Sequence, residues 1–500
     1  MPKPRSAPNR TTPPESASPT GDNRPDADSA ARARQISLIA SLIVYLIFQV
    51  LWATVTPIKM QSVADSLPNG DTRQILVGTG PDEPQHYLYI LSMAETGHIP
   101  RPLPELRRSP SEFISHEAQH PPLFYAIAAG IRNLLHPLGD RVVWYALRGF
   151  GVLCGALAIV LISQMAWVAF PDRPFIGIAM PPFLAMIPMF DYMTSELSNF
   201  PLELAFTSAG LLALVTIARG RSRLDVKSGA LLAVWFGLAM ATRQTSAMWL
   251  PAIALVLAYA IKTAPGTERP KAIAGAAVFV VAFAVFAIPW FAYMKANYGS
   301  FLFRSDFRPM LGNISLGQYL ADSDKPIVVP NLAHTVDFSV MQIALWYMST
   351  PWVPLWLAQF YIPSFFGQIE VFETPFFVLD VFVLLMLLRH WARNRNTGHP
   401  DPVTRLLLWA SFLSVAFGVA LIVQQQLFID IEMFLYAGRY CLSVVGAGSL
   451  LLLFAISTMM DGRLRQAVIG ASVLAAVMLL FNAWTYSMIL AFYTHGIPGL

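Results

Sequence analysis

HPPLFYAIAAGIRNLL, residues His120–Leu135, is apolar enough to enter a membrane and short for crossing one. A bilayer core of roughly 30 Å asks for about 20 helical residues. This run falls short of that, opens on Pro121-Pro122 and carries Arg132 near its end. Prolines suit the first turn of a helix and break its interior. The stretch therefore reads as an interfacial or re-entrant helix. That reading decides on which face every later loop falls.

The surrounding chain has 500 residues, 55% hydrophobic and 13% charged, with a mean hydropathy of +0.52. A soluble protein of this length needs more charge to cover its surface. Runs long enough for a bilayer fall at Ile36–Thr56, Ala146–Val168, Pro174–Phe190, Phe200–Ala218 and Ile273–Tyr293. Val371–Leu388, Leu406–Gln424, Cys441–Met459 and Ala467–Tyr486 follow, and with two half-length apolar runs joined at Arg243, Gly229–Ala241 and Ser246–Ile261, the spans number about eleven in all. If residues 120–135 do not span, the basic segments Arg219–Lys227, Lys262–Lys271, Arg389–Arg405 and Asp461–Arg465 share one face with the N-terminal tail. Lys and Arg gather on cytoplasmic loops, so that face is the cytoplasmic one. Counting the run as a span would throw nearly all of them outside.

The predicted fold is all-α and polytopic, with a large first extracytoplasmic loop carrying interfacial helices. Residues 1–34 lack apolar periodicity and read as a disordered cytoplasmic tail. The membrane domain covers 35–490, its outer loops are 57–145, 295–370 and 425–440, and residues 491–500 end outside. The excess of Lys and Arg, net +4, follows from the cytoplasmic loops and calls for no nucleic-acid partner. Cys154 and Cys441 lie in or beside apolar runs, which argues against a disulfide framework.

The outer face collects the ionisable groups. In GTGPDEPQHYLYILSMAETG, Gly78–Gly97, Asp82 is placed to cap a helix and Pro84 fits its first turn. Helical spacing sets Asp82 and His86 on one side, with Glu83 adjacent to His86. Tyr87, Ile90, Leu91 and Ala94 form a stripe expected to lie on the membrane surface. Three roles stay open for these carboxylates: a capping network, a general base for an acceptor hydroxyl, or, with His86, ligands of a divalent metal. His116, Glu117, His120 and Glu196 fall on the same side, as do Arg243 and Arg439. A guanidinium is a planar fork that suits phosphate oxygens; pairing with Glu196, Asp430 or Glu432 is the structural alternative.

The order of PDEPQHYLYILSMAETGHIPRP (81–102), HEAQHPPLFYAIAAGI (116–131), ALRGFGVLCGALAIVL (146–161), GLAMATRQTSAMWLPA (237–252) and PWFAYMKANYGSFLF (289–303) resembles the GT-C superfamily of membrane glycosyltransferases. It is most similar to the dolichyl-phosphate-mannose and aminoarabinose-transferase-like branch. PDEPQHY and Gly438-Arg439-Tyr440 also look like a bacterial family of predicted membrane proteins grouped with it. The resemblance implies an acidic base in the first outer loop, mapping to Asp82 or Glu83 with Asp82 the first choice. It implies a polyprenyl-phosphate-linked sugar donor and a cell-envelope acceptor, at the outer face of a bacterial inner membrane. Thr242-Arg243 takes the place of a Thr-Lys pair, and His120-Pro121-Pro122-Leu123 matches a family motif. A second acidic residue of the family is replaced by Glu196 with Asn199 nearby. A lipid-glycan transporter, or the same fold with degenerate chemistry, is the alternative function.

Overall fold

In the computed structural model, which describes residues 27–62, 67–70, 74–80, 82–102, 108–299, 301, 385–390, 392, 401–428, 441–460 and 463–495, the chain enters through α1 (Ala27–Val55). This helix starts ahead of Ile36, inside the segment expected to be disordered. Ala and Arg are strong helix formers, and Asp28 in the first turn complements the helix dipole, so the span extends beyond its apolar core. Later helices are α4 (Asp140–Ala169), α5 (Pro174–Ala185), α6 (Pro188–Ser195), α7 (Phe200–Ala218), α8 (Val226–Thr242), α9 (Leu250–Thr263) and α10 (Arg269–Tyr298). After them come α11 (Pro402–Phe428), α12 (Val445–Ser457) and α13 (Leu464–His495).

Among the described residues six helices are long and apolar enough to cross a membrane, or seven with α5 and α6 taken as one bent span. α8, α12 and the Pro402–Gly418 part of α11 are shorter apolar helices. This is a multi-pass membrane protein of the all-α class. Most of the expected span 371–388 lies outside the described residues, as do the greater parts of loops 295–370 and 425–440. α13 continues past the expected end at Tyr486 to His495.

Breaks between helices follow from proline and from caps. α5 and α6 meet at 52°, where Pro188 opens α6 without an N–H to continue the ladder. α8 starts on a reciprocal cap: Asp225 accepts from Ser228 N at 2.9 Å, and Ser228 Oγ accepts from Asp225 N at 2.8 Å. α8 and α10 approach through glycine, since a Cβ on Gly229 would sit 2.0 Å from the carbonyl oxygen of Gly275. Buried Asp191 of α6 accepts from Gln49 of α1 at 3.2 Å and also from Asn482 of α13, joining three helices by polar bonds.

The first outer segment folds into a cap on one end of the bundle. Strands β1 (Ile58–Ser62) and β2 (Gln74–Gly78) pair antiparallel, with Ile58 opposite Gly78 and Ser62 opposite Gln74. Helices α2 (Glu83–Thr96) and α3 (Leu123–Leu135) follow. At 13 residues α3 is about 20 Å long, too short to cross, and its Arg132 pairs with Glu95 at 3.2 Å. The cap has its own apolar core of Val77, Tyr87, Leu88, Ile90, Phe124, Trp144 and neighbours. Trp144 Nε1 donates to Leu76 O at 2.7 Å, fastening β2 to α4.

The placement of α2 differs from the sequence expectation. Every residue from His86 to Ser92 is buried, so α2 is a core helix of the cap and not one lying on lipid. It packs against α3, β2 and the His116–Gln119 turn. Helical periodicity marks which residues cluster, and is silent on whether lipid or protein covers them.

Candidate functional site

The site is built where the cap meets the ends of α1, α4 and α6. Glu83 opens α2 and is fully buried. Its Oε1 accepts from Arg148 Nε at 2.9 Å and from Leu197 N at 2.8 Å. Its Oε2 accepts from Arg148 Nη2 at 2.6 Å and from Gly80 N at 3.1 Å. Arg148 Nη1 completes the knot by donating to Ala53 O at 2.8 Å and Thr56 O at 3.1 Å. Glycine makes the approach feasible: a Cβ on Gly78 would fall 1.9 Å from Glu83 Oε2. Glu83 is thereby committed to holding four chain segments together.

Glu196 lies beside this knot, also buried, with Oε1 accepting from Thr56 Oγ1 at 3.1 Å. Burial, and then the charge of Glu83, push its carboxyl well above the ordinary range. Glu83, and not Glu196, makes the ion pair with Arg148.

Asp82 takes a different direction from its neighbour. Its backbone is left-handed (φ 59°), and its side chain makes no capping bond, contrary to the expected N-cap. Instead Asp82 Oδ1 lies 3.5 Å from His116 Nε2. The 3-10 turn His116–Gln119 winds behind it, capped by Ser115, whose Oγ accepts from Glu117 N at 3.2 Å and donates to Gln85 O at 2.7 Å. Glu117 is buried between two imidazoles, 3.3 Å from His116 Nε2 and 3.1 Å from His120 Nε2. His86 Nδ1 stands 3.7 Å from the same carboxylate and 2.9 Å from the Tyr125 hydroxyl. Tyr125 stacks on Tyr89 at 3.7 Å between ring centroids, and Asn199 Nδ2 donates to its oxygen at 3.5 Å.

Charges in this cluster are set by position. Burial drives the His86 imidazole down to about 4, which leaves it neutral. Burial opposes charge on His116 as well, but Asp82 and Glu117 outweigh it and raise that imidazole to about 9. Burial would raise the Glu117 carboxyl, yet the surrounding His86, His120 and His116 hold it well below the usual carboxylate range. At neutral pH His116 is thus an imidazolium facing the Glu117 carboxylate, with Asp82 Oδ1 3.5 Å from its Nε2.

One ligand atom each from Asp82, His116 and Glu117 lies within 4.8 Å of the others. Glu117 Oε2 is buried and makes no well-formed hydrogen bond. Two carboxylate oxygens and an imidazole form a donor set suited to a divalent ion such as zinc or manganese. The residues fit a metal.

The break between α8 and α9 adjoins the cluster, with Gln244 Nε2 donating to Gln119 O at 2.8 Å. Arg243, buried at the end of α8, stands near both Tyr125 and Glu203. Glu203 Oε1 accepts from Ser246 Oγ at 3.0 Å and Oε2 from Ser443 Oγ at 3.1 Å, linking the break to the start of α12. Arg439, Asp430 and Glu432 lie outside the described residues.

The structure thus gathers Asp82, His86, His120 and Arg243 around one centre, with Glu83 and Glu196 in an adjoining knot. Sequence reading left out His116 and Glu117 as ligands, and missed Arg148, Tyr125 and Glu203. The expectation that the chain holds no H-E-x-x-H motif is corrected here, since His116-Glu117-Ala118-Gln119-His120 is one and marks the pair. Here it forms a 3-10 turn with the histidines flanking the carboxylate, unlike the α-helical form that points both imidazoles one way.

Fold and centre define a multi-pass, all-α membrane protein with a carboxylate–histidine site under a cap at one end of its helices. No family profile matches the chain, and no curated protein sequence does. Among solved structures it is similar to ArnT from Cupriavidus metallidurans bound to undecaprenyl phosphate, at 13% identity and a TM-score of 0.44, covering 90% of this chain and 69% of that one. It is also similar to the Archaeoglobus fulgidus oligosaccharyltransferase tethered with an acceptor peptide containing the NVT sequon, at 12% identity and a TM-score of 0.44. That match covers 91% of this chain and 55% of the other, so the chain spans about half of the oligosaccharyltransferase. The same archaeal enzyme in complex with Zn and sulfate matches at 13% identity and a TM-score of 0.42, covering 90% of this chain and 53% of that one. Both proteins are GT-C superfamily members.

Proposed function

We propose that this protein is an integral membrane glycosyltransferase that moves a sugar from a polyprenyl-phosphate-linked donor to a cell-envelope acceptor. The reaction is placed at the outer face of a bacterial inner membrane, with the N-terminus in the cytoplasm. The observation that carries the reading is that a partly accessible carboxylate, Asp82, and a buried guanidinium, Arg243, both lie within electrostatic reach of the Tyr125 hydroxyl, beside the Gln119–Gln244 bond.

Asp82 is the base. It takes the proton of the acceptor hydroxyl as that oxygen forms a bond to the anomeric carbon. The bond from the anomeric carbon to the donor phosphate oxygen breaks on the opposite side, and its electron pair leaves with the polyprenyl phosphate, giving inversion. Arg243 and Arg439 receive that phosphate charge. Glu83, tied at both oxygens to Arg148 and backbone N–H groups, positions Asp82 by fixing the start of α2. His86 and His120 border the acceptor side, and neutral Glu196 supports the Glu83 knot. Asp82, His116 and Glu117 would hold a divalent ion, which when bound supplies Lewis-acid charge to oxygens of the substrate.

Native mass spectrometry of the full-length protein with added undecaprenyl phosphate tests the donor assignment. Binding that Arg243→Ala weakens at unchanged thermal stability supports it. Failure of undecaprenyl phosphate to bind the wild type, or undiminished binding by Arg243→Ala, contradicts it.

A further inference from the structure

At the end of the bundle opposite the carboxylate–histidine centre, a cavity of about 270 Å³ opens between the start of α5, the end of α12 and the start of α13. Its polar wall is Arg173, Arg463, Ser457 and Asp172, and its apolar wall includes Phe175 and Met460. The Arg173 guanidinium is held by two contacts that leave its charge unneutralised. Its Nη1 donates to Ser457 Oγ at 3.0 Å, and its Cζ lies 4.4 Å from the centre of the Phe454 ring.

Among the described residues, no carboxylate comes within ion-pair distance of Arg173 or Arg463, Asp172 included. Burial lowers the tendency of Arg173 to hold its proton, and Asp172 offsets only part of that. Among the described residues, two guanidiniums thus face one concavity in which Asp172 is the single carboxylate of the lining. The volume sits just under the roughly 300–1,000 Å³ of small-molecule sites, room for a headgroup and not for acyl chains. Beside it, Met459 and Ile469 are 57% and 54% exposed, an apolar surface on which acyl chains can lie. Gly470 shapes the apolar wall, since a Cβ there would fall 2.5 Å from Met460 Cε.

We propose that this cavity binds a phosphate-bearing anion through Arg173 and Arg463, supplied by the headgroup of an anionic phospholipid. Basic pockets between membrane helices take such headgroups, and a guanidinium pair meets phosphate oxygens in fork geometry. The site is separate from the transfer centre and does not depend on the reaction assigned to it.

The test is the thermal unfolding midpoint of the full-length protein in neutral detergent. The added probes are dioleoylphosphatidylglycerol, dioleoylphosphatidylcholine or inorganic phosphate. Arg463 is exposed, so Arg463→Glu and the milder Arg463→Gln leave the fold intact; Lys262→Glu, an exposed charge elsewhere on the chain, is the control. Phosphatidylglycerol is expected to raise the midpoint of the wild type and of Lys262→Glu, phosphatidylcholine to leave it unchanged, and both Arg463 variants to lose the rise. A rise with inorganic phosphate that is equally lost in the Arg463 variants supports the cavity and names a soluble anion as its source. No rise with either anionic probe overturns the proposal, and so does a rise the Arg463 variants retain or Lys262→Glu loses to the same degree.

Discussion

Glu83 and Arg148, distant in sequence, form a two-pronged ion pair with bonds of 2.9 and 2.6 Å, and both side chains are almost wholly buried. Removing one partner strands the other charge, at a cost of about 3–5 kcal/mol. Arg148→Ala should therefore unfold at a much lower temperature in detergent, and Glu83→Gln should lose less because it keeps shape and some acceptors. A Glu83→Ala protein with wild-type stability and no activity would move Glu83 from scaffold to chemistry.

Gly78→Ala offers an independent check on the same knot. The new methyl would lie 1.9 Å from Glu83 Oε2 and 2.9 Å from Arg148 Nη2, so the pair must separate. Overpacking of this kind costs about 1–3 kcal/mol before any loss of the ion pair. The expected result is a drop in unfolding midpoint approaching that of Arg148→Ala; a midpoint within error of wild type would mean the knot is not this tight.

Asp82→Asn separates chemistry from stability. Asn tolerates the left-handed backbone at this position, and Asp82 makes no capping bond to lose. The unfolding midpoint should fall only slightly, by the loss of the partly exposed pair with His116, while transfer falls by about 10²–10⁴-fold, the usual worth of a general base.

Metal content is measured on the purified full-length protein by elemental mass spectrometry after dialysis against zinc or manganese. One ion per chain is expected for the wild type and for His98→Ala, whose residue stands clear of the centre. His116→Ala and Glu117→Ala should each lose it. Equal metal content in all four proteins would place any ion elsewhere.

Much of this fold was legible because the bilayer is a strict solvent. The shortness of His120–Leu135 foretold α3 as a helix that does not cross, and the α8–α9 break at Arg243 was readable from two half-length apolar runs. What escaped was set by contacts across the chain. Asp82 looked like a cap by spacing, but Glu83 is drawn to Arg148 and Leu197, and this turns Asp82 away into a left-handed conformation beside His116. The α2 stripe looked lipid-facing because nothing in its periodicity announces that Phe113, Phe124 and Trp144 cover it. The pairing of β1 with β2 is equally non-local, joining two short segments whose alternation is too brief to stand out.

The assignment of Asp82 as base is tested most directly by mass spectrometry of cell-envelope glycans. The comparison is between cells lacking the protein, cells carrying the wild type, and cells carrying Asp82→Asn at equal membrane abundance. The prediction is a glycan mass difference of one sugar that appears with the wild type and is absent both without the protein and with Asp82→Asn. An envelope identical in all three, or one in which Asp82→Asn restores the sugar fully, would contradict it.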